Sequence, residues 1–221
     1  ADELEGAKDF NGKLKEILVK AYKENKNIIF NGNGYSDEWV KEATEVRGLP
    51  NYVSTVDCLP QYLADKNVQM FEKFKIYSKV EIASRTEILL ENYTKVINIE
   101  ALTMVDMAKK QIYPAVMDYT KDVCSALASM KSVGIENPTQ EKLANKLSSS
   151  LKCLDAAVGE LEQALINAKD ASEDIYKLSR FYRDEVFSKM QSLRAVADEL
   201  ETIVSEKYWP FPVYSDLLFR V

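Results

Sequence analysis

The sequence predicts a mainly α protein: a long antiparallel helical bundle that follows a shorter, mixed segment. Three observations carry this. From Ser78 to Val133 there is no glycine and a single proline, a composition that favours uninterrupted helix. Leu143, Leu147, Leu151, Leu154, Val158, Leu161, Leu165 and Ala168 recur at three-and-four spacing, which is the seam of a packed helix. Five of the seven glycines lie before residue 50. That shift sets residues 1–57 apart from residues 58–221.

Taken in order, residues 2–25 read as an amphipathic helix, with Leu14, Ile17, Leu18 and Ala21 or Tyr22 on one face. Ile28, Ile29 and Phe30 form a short apolar run, either one buried strand or a packed connector. Asn31-Gly32-Asn33-Gly34 is a tight turn, because both Asn-Gly pairs favour positive φ. It lacks the spacing and the lysine of a phosphate loop, and Asp37 and Glu38 sit where an anion would, so it reads as structure rather than as a nest. Ser36 caps a short helix with acids in its first turn, and Gly48 stops it. A second short helix begins near Asp57 or Leu59, with Pro60 in its first turn. Residues 66–75 continue helically.

The long helix 78–133 opens on Ser78 and Glu81, a capping box, and closes at Gly134. At 1.5 Å per residue it would reach roughly 80 Å. Between Val96 and Met117 apolar residues fall on nearly every face, as in a helix surrounded by other protein. Glu100, Asp106, Lys109 and Lys110 interrupt it, which excludes a membrane span. Pro114 must bend it or strain one turn. Glu100 and Asp106 are read as buried acids in structural salt bridges, with Arg194, Arg183 or Arg85 as partners.

Asn137 and Pro138 open the return segment. Its seam runs on through Ile175, Leu178, Tyr182, Val186, Met190, Leu193, Val196, Leu200 and Val204. The unbroken phase allows one helix. Typical helix lengths favour two, 138–169 and 173–207, with Asp170 and Glu173 as a capping box at the break. In the tail, 208–221, Pro210 and Pro212 forbid helix, yet Tyr208, Trp209, Phe211, Tyr214, Leu217, Leu218 and Phe219 are too apolar for a disordered end. They are expected to dock, on their own chain or a neighbour.

Composition narrows the function. A net charge of −6 and a pI near 5.0 argue against nucleic acid or an anionic membrane as the main partner. Cys58, Cys124 and Cys153 are widely spaced and odd in number, reading as reduced thiols of a cytoplasmic protein. Histidine is absent, and with it the commonest proton-transfer side chain and metal ligand. The polar first ten residues hold no secretory signal and no initiating Met, reading as a fragment or as a processed chain. No catalytic, cofactor-binding or metal-ligating set emerges from residue types and spacing.

The segments IIFNGNGYSDEW, INIEALTMVDMAKKQIYPAV, FYRDEV, LRAVADELE and YWPFPVYSDLLF occur in that order along the chain. Together they resemble the carboxy-terminal part of the type III glutamine synthetases. The resemblance implies that residues 1–57 end a catalytic domain and that 58–221 form a type III-specific helical extension. It implies a parent that makes glutamine from glutamate, ammonia and ATP with Mg or Mn, in rings of six subunits doubled to twelve. The family's metal-binding glutamates, nucleotide-binding segment and substrate arginines match nothing here, so no catalytic residue is carried over. Tyr35 and Trp39 would edge the active site, and the tail residues Trp209, Phe211, Tyr214, Leu217, Leu218 and Phe219 would make oligomer contacts. The competing reading is a stand-alone helical adaptor, which would have no reason to carry the turn-rich first 57 residues.

Overall fold

The computed structural model describes residues 3–29 and 31–219. The chain is mainly helical, with no strand among the described residues. It divides into two compact units, residues 1–53 and 54–221.

In the first unit, α1 (Phe10–Glu24) begins later than the periodicity suggested, because Asp9 caps it, accepting from the Gly12 amide at 3.0 Å. None of its residues is buried, and Leu18 and Tyr22 of the expected face are exposed. The apolar run after it contains no strand among its described residues: Lys26–Ile28 is a turn of 3-10 helix and Ile28 is exposed. Phe30 lies outside the described residues. α2 (Asp37–Lys41) is capped by Ser36 and continues as a widened π turn, Glu42–Val46. Gly48, at φ +66°, then takes the left-handed conformation that an L side chain resists.

The second unit opens with α3 (Thr55–Cys58), whose Ser54 cap accepts from the Asp57 amide at 3.2 Å. A 3-10 turn holding Pro60 leads to α4 (Asp65–Lys73). Lys75, at φ +52°, reverses the chain. The capping box then starts α5 (Lys79–Met107). Ser78 Oγ accepts from the Glu81 amide, and Glu81 Oε2 accepts from the Ser78 amide at 2.8 Å.

α5 passes through a π turn, Ala108–Ile112, directly into α6 (Tyr113–Ser132). This turn is the structure's answer to Pro114. The proline has no N–H to give and its ring crowds the carbonyl four residues back. A turn widened by one residue immediately before it shifts the hydrogen-bond register. The Tyr113 amide accordingly reaches back five residues, to the Ala108 carbonyl.

After Gly134 (φ +77°) and a hydrogen bond donated by the Ile135 amide to the Met130 carbonyl, α7 (Pro138–Ala168) begins under the Asn137 cap. Surface ion pairs record its register. Lys131 meets Glu141 and Lys109 meets Glu162, so numbers fall in α7 as they rise in α6. A turn over 169–174 leads to α8 (Ile175–Phe181). Its cap is Asp174 rather than the Asp170–Glu173 box expected from sequence, because one carboxylate oxygen of Asp174 reaches both the Tyr176 and Lys177 amides. A π turn, Tyr182–Phe187, joins α8 to α9 (Ser188–Glu201). Lys189–Glu160 and Lys146–Glu199 set the same opposed register between α7 and α9.

The helix ends at Glu201, short of the expected 207. Val204 turns inward instead, donating its amide to the Leu200 carbonyl and burying its side chain. The prolines of the tail also do less than expected: beyond them α10 (Tyr214–Phe219) forms one short helix, with the Val213 amide donated to Asp216.

One stripe of each long helix builds the core. Leu90, Ala101, Val116, Leu147, Leu154, Leu161, Leu193 and Leu200 are fully enclosed, each worth about 1.5–3 kcal/mol for its apolar burial if of leucine size. The expectation that α5 is covered all round is not met. Ile97, Ala101 and Val105 face the core, while Ile99, 62 % exposed, and Leu102, 53 % exposed, face solvent on the opposite side. Burial requires only one stripe of a helix, and the other stays bare. Glu100 and Asp106 are also exposed rather than buried. Asp106 pairs with Lys110 one turn on.

Candidate functional site

The first candidate is the loop holding Tyr35 and Trp39. Asn33 Oδ1 accepts from the Tyr35 amide at 3.0 Å, and Ser36 Oγ accepts from the Trp39 amide at 3.2 Å. These local bonds leave the Tyr35 ring 99 % exposed. Trp39 is half-buried, with the Arg47 guanidinium 5.0 Å from its ring centroid. Arg47 is itself fixed by Glu42 at 2.5 Å and by the Ile29 carbonyl at 2.5 Å. The π turn between Trp39 and Arg47 brings cation and ring together. The Glu38 carboxyl is held below its ordinary range by backbone and Ser36 hydrogen bonds at the helix start. The loop thus presents one free phenol beside a clamped indole.

The second candidate is the tail. Tyr208, Trp209 and Phe211 pack against the core of the second unit. Tyr208 donates its hydroxyl to Asp122 and lies 5.3 Å from the Tyr119 ring. That bond to a carboxylate raises the Tyr208 phenol pKa. Trp209 meets Phe211 edge-on at 6.0 Å. The indole N–H of Trp209 is buried with no acceptor among the described residues. Leu217 and Leu218 stay exposed on α10. The side chains of Tyr214 and Phe219 lie outside the described residues. The structure therefore joins Trp209 and Phe211 of the expected docking set to the core and leaves Leu217 and Leu218 facing outward.

Two features went unread in the sequence. A groove of about 420 Å³ runs between α5 and α9, lined by Ile99, Met104, Phe187 and Met190, with Glu100 and Arg194 on it. A neighbouring hollow of about 250 Å³ shares Met104 and Arg194. It has no converging polar groups of the sort chemistry requires. The other feature is a junction at Arg183. This side chain reaches Asp57 at 2.5 Å, Ser54 at 3.4 Å and Asp184 at 2.6 Å, tying α8–α9 to α3. Bonds from Ser54 and Arg183 depress the Asp57 pKa, while Asp184 and Asp57 raise that of Arg183. No local pattern announces a partner more than a hundred residues away. Nearby, Tyr182 donates to Asn98 at 3.1 Å, and burial pushes its phenol pKa up.

Among the described residues no group of three or more Cys, Asp or Glu could hold a metal ion. Among the described residues, too, no helix is long and apolar enough to cross a membrane. What the arrangement supports is packing and recognition. Comparison with known proteins then decides the lineage: the family model for the glutamine synthetase C-terminal domain matches residues 13–131. The chain belongs to that family. It is 37 % identical over 215 residues to a glutamine synthetase of Butyrivibrio fibrisolvens and 33 % identical over 217 residues to the type-3 glutamine synthetase of Dictyostelium discoideum. A glutamine synthetase of Bacteroides fragilis is 28 % identical over 214 residues. These alignments cover 92–95 % of this chain and 29–30 % of each relative. The chain thus spans about a third of the length of the relatives it matches. The family match runs from within α1 to one residue short of the end of α6 and so includes the loop of Tyr35 and Trp39 and nearly all of the long helix.

Proposed function

We propose that this chain is the carboxy-terminal part of a cytoplasmic type III glutamine synthetase and serves it as a structural and assembly scaffold. The observation that carries this is the extent of the likeness: 95 % of this chain aligned to 30 % of a glutamine synthetase. In this reading the parent joins ammonia to glutamate with ATP and Mg or Mn, all held by residues upstream. Residues 1–57 complete the catalytic domain, and Tyr35 and Trp39 edge its active site. Residues 58–221 pack as the helical extension, which supports a homo-oligomer of the ringed kind.

The physics of the extension supports a scaffold. Its polar groups are used in caps and surface ion pairs, and its apolar groups exceed what its own core encloses. Exposed apolar surface of that kind marks an interaction face. The test is to delete Trp209–Val221 from the full-length protein. The deletion removes the Trp209–Phe211 contact with the core together with exposed Leu217 and Leu218. Light scattering should then show a lower subunit number or calorimetry a lower Tm. Unchanged assembly and Tm count against the scaffold role of the tail.

A further inference from the structure

α5 is apolar on two opposite faces. One, through Leu90, Ile97 and Ala101, is enclosed by the bundle. The other carries Ile88, Leu89, Val96, Ile99 and Leu102, all more than a third exposed. At 100° per residue these five spread over about 140° of the circumference, centred roughly opposite the buried stripe. Arg85 and Asp106 sit in the same stripe, one near each end, and both are exposed. They are about 31 Å apart along the axis. Arg85, Ile88, Asn92, Lys95, Ile99, Leu102 and Asp106 are spaced alternately three and four apart, the spacing of a seam between two helices.

We infer that this stripe is a two-fold interface, on which α5 of a second copy of this chain lies antiparallel. The charges decide both occupant and direction. In an antiparallel pair related by a two-fold axis, facing residue numbers have a constant sum. An axis between Lys95 and Val96 sets Arg85 opposite Asp106 at both ends, Leu89 opposite Leu102, and Val96 beside its own counterpart. A parallel pair would instead stack Asp106 on Asp106 and Arg85 on Arg85, which is repulsive. Lys95, at the midpoint, is held aside by Glu91 at 2.7 Å. The same sum sets Asn92 opposite Ile99. Arg85 now lies over the Tyr77 ring at 4.5 Å, and Asp106 meets Lys110. Both contacts are at the surface, where they are worth little, so exchanging them for a cross-chain pair is cheap.

This inference rests on the assembly reading above and names its contact. The test uses the full-length protein with p-benzoylphenylalanine placed at Val96. Illumination should give a covalent dimer whose cross-linked peptide comes from α5 of a second chain. Arg85→Asp should lower the dimer yield at least five-fold, and adding Asp106→Arg should restore it. Cross-linking within one chain to an upstream peptide, or to a different protein, overturns the inference, as does an Arg85→Asp yield equal to wild type. Light scattering on the same sample separates the two claims. An oligomer that fails to cross-link at Val96 defeats this seam alone, whereas a monomer defeats the scaffold reading with it.

Discussion

Leu161→Ala should be among the costliest single changes in the second unit. Leu161 is 0 % exposed on α7 and belongs to the main core cluster. Truncation removes the transfer energy of its buried carbons and leaves a cavity that rigid helices on either side fill poorly, at about 3–4 kcal/mol. For a chain of this size each kcal/mol lowers Tm by about 2–4 °C, so the expected drop is roughly 10 °C. Ile166→Ala, on the same helix, is the internal control: Ile166 is 55 % exposed, and its truncation should cost under about 1 kcal/mol. Both are read by urea and thermal unfolding followed by circular dichroism at 222 nm. Equal losses from the two variants would refute the assignment of inner and outer faces to α7. So would an Ile166→Ala loss larger than that of Leu161→Ala.

The Asp57–Arg183 junction predicts a pH dependence. Its folded pKa lies below the ordinary 3.8, so the pair's contribution is present above that value and is lost as pH falls through the depressed one. Asp57→Asn should therefore lower the urea midpoint at pH 7, and its deficit should shrink below pH 3.8. A deficit independent of pH would show that the charge is not what stabilises the junction. In the full-length protein, Tyr35→Phe or Trp39→Phe should raise KM for glutamate or ammonia a few-fold while leaving Tm unchanged. If both KM values stay at wild type, the loop does not edge the active site.

Much of the fold was legible because it depends on neighbours in sequence. The Ser78–Glu81 box, the Asn137 cap with Pro138 after it, and the left-handed Gly134 all involve residues within a few positions of one another. The leucine seam of α7 likewise reports its own buried face. Three things escaped. The π turns at 108–112 and 182–187 are shifts of hydrogen-bond register, and only the first has a marker, Pro114. The break between α7 and α8 keeps the seam in phase across it, so periodicity alone could not place the cap at Asp174. The contacts of Arg183 with Asp57 and of Tyr208 with Asp122 join residues far apart in the chain. Apolar residues around all of α5 suggested enclosure, yet composition cannot say whether the covering surface belongs to this bundle. This bundle covers one stripe of α5 and leaves Ile99 and Leu102 exposed. The candidate site was less legible than the fold, because the loop of Tyr35 and Trp39 and the tail bear no chemistry of their own.

The most direct measurement is the native mass and activity of the endogenous protein, captured from lysate with an antibody to residues 138–221. The account predicts a species several times larger than 25.1 kDa that forms glutamine from glutamate, ammonia and ATP. An inactive species of 25.1 kDa would contradict it and leave a free-standing helical protein that shares only the fold of its family.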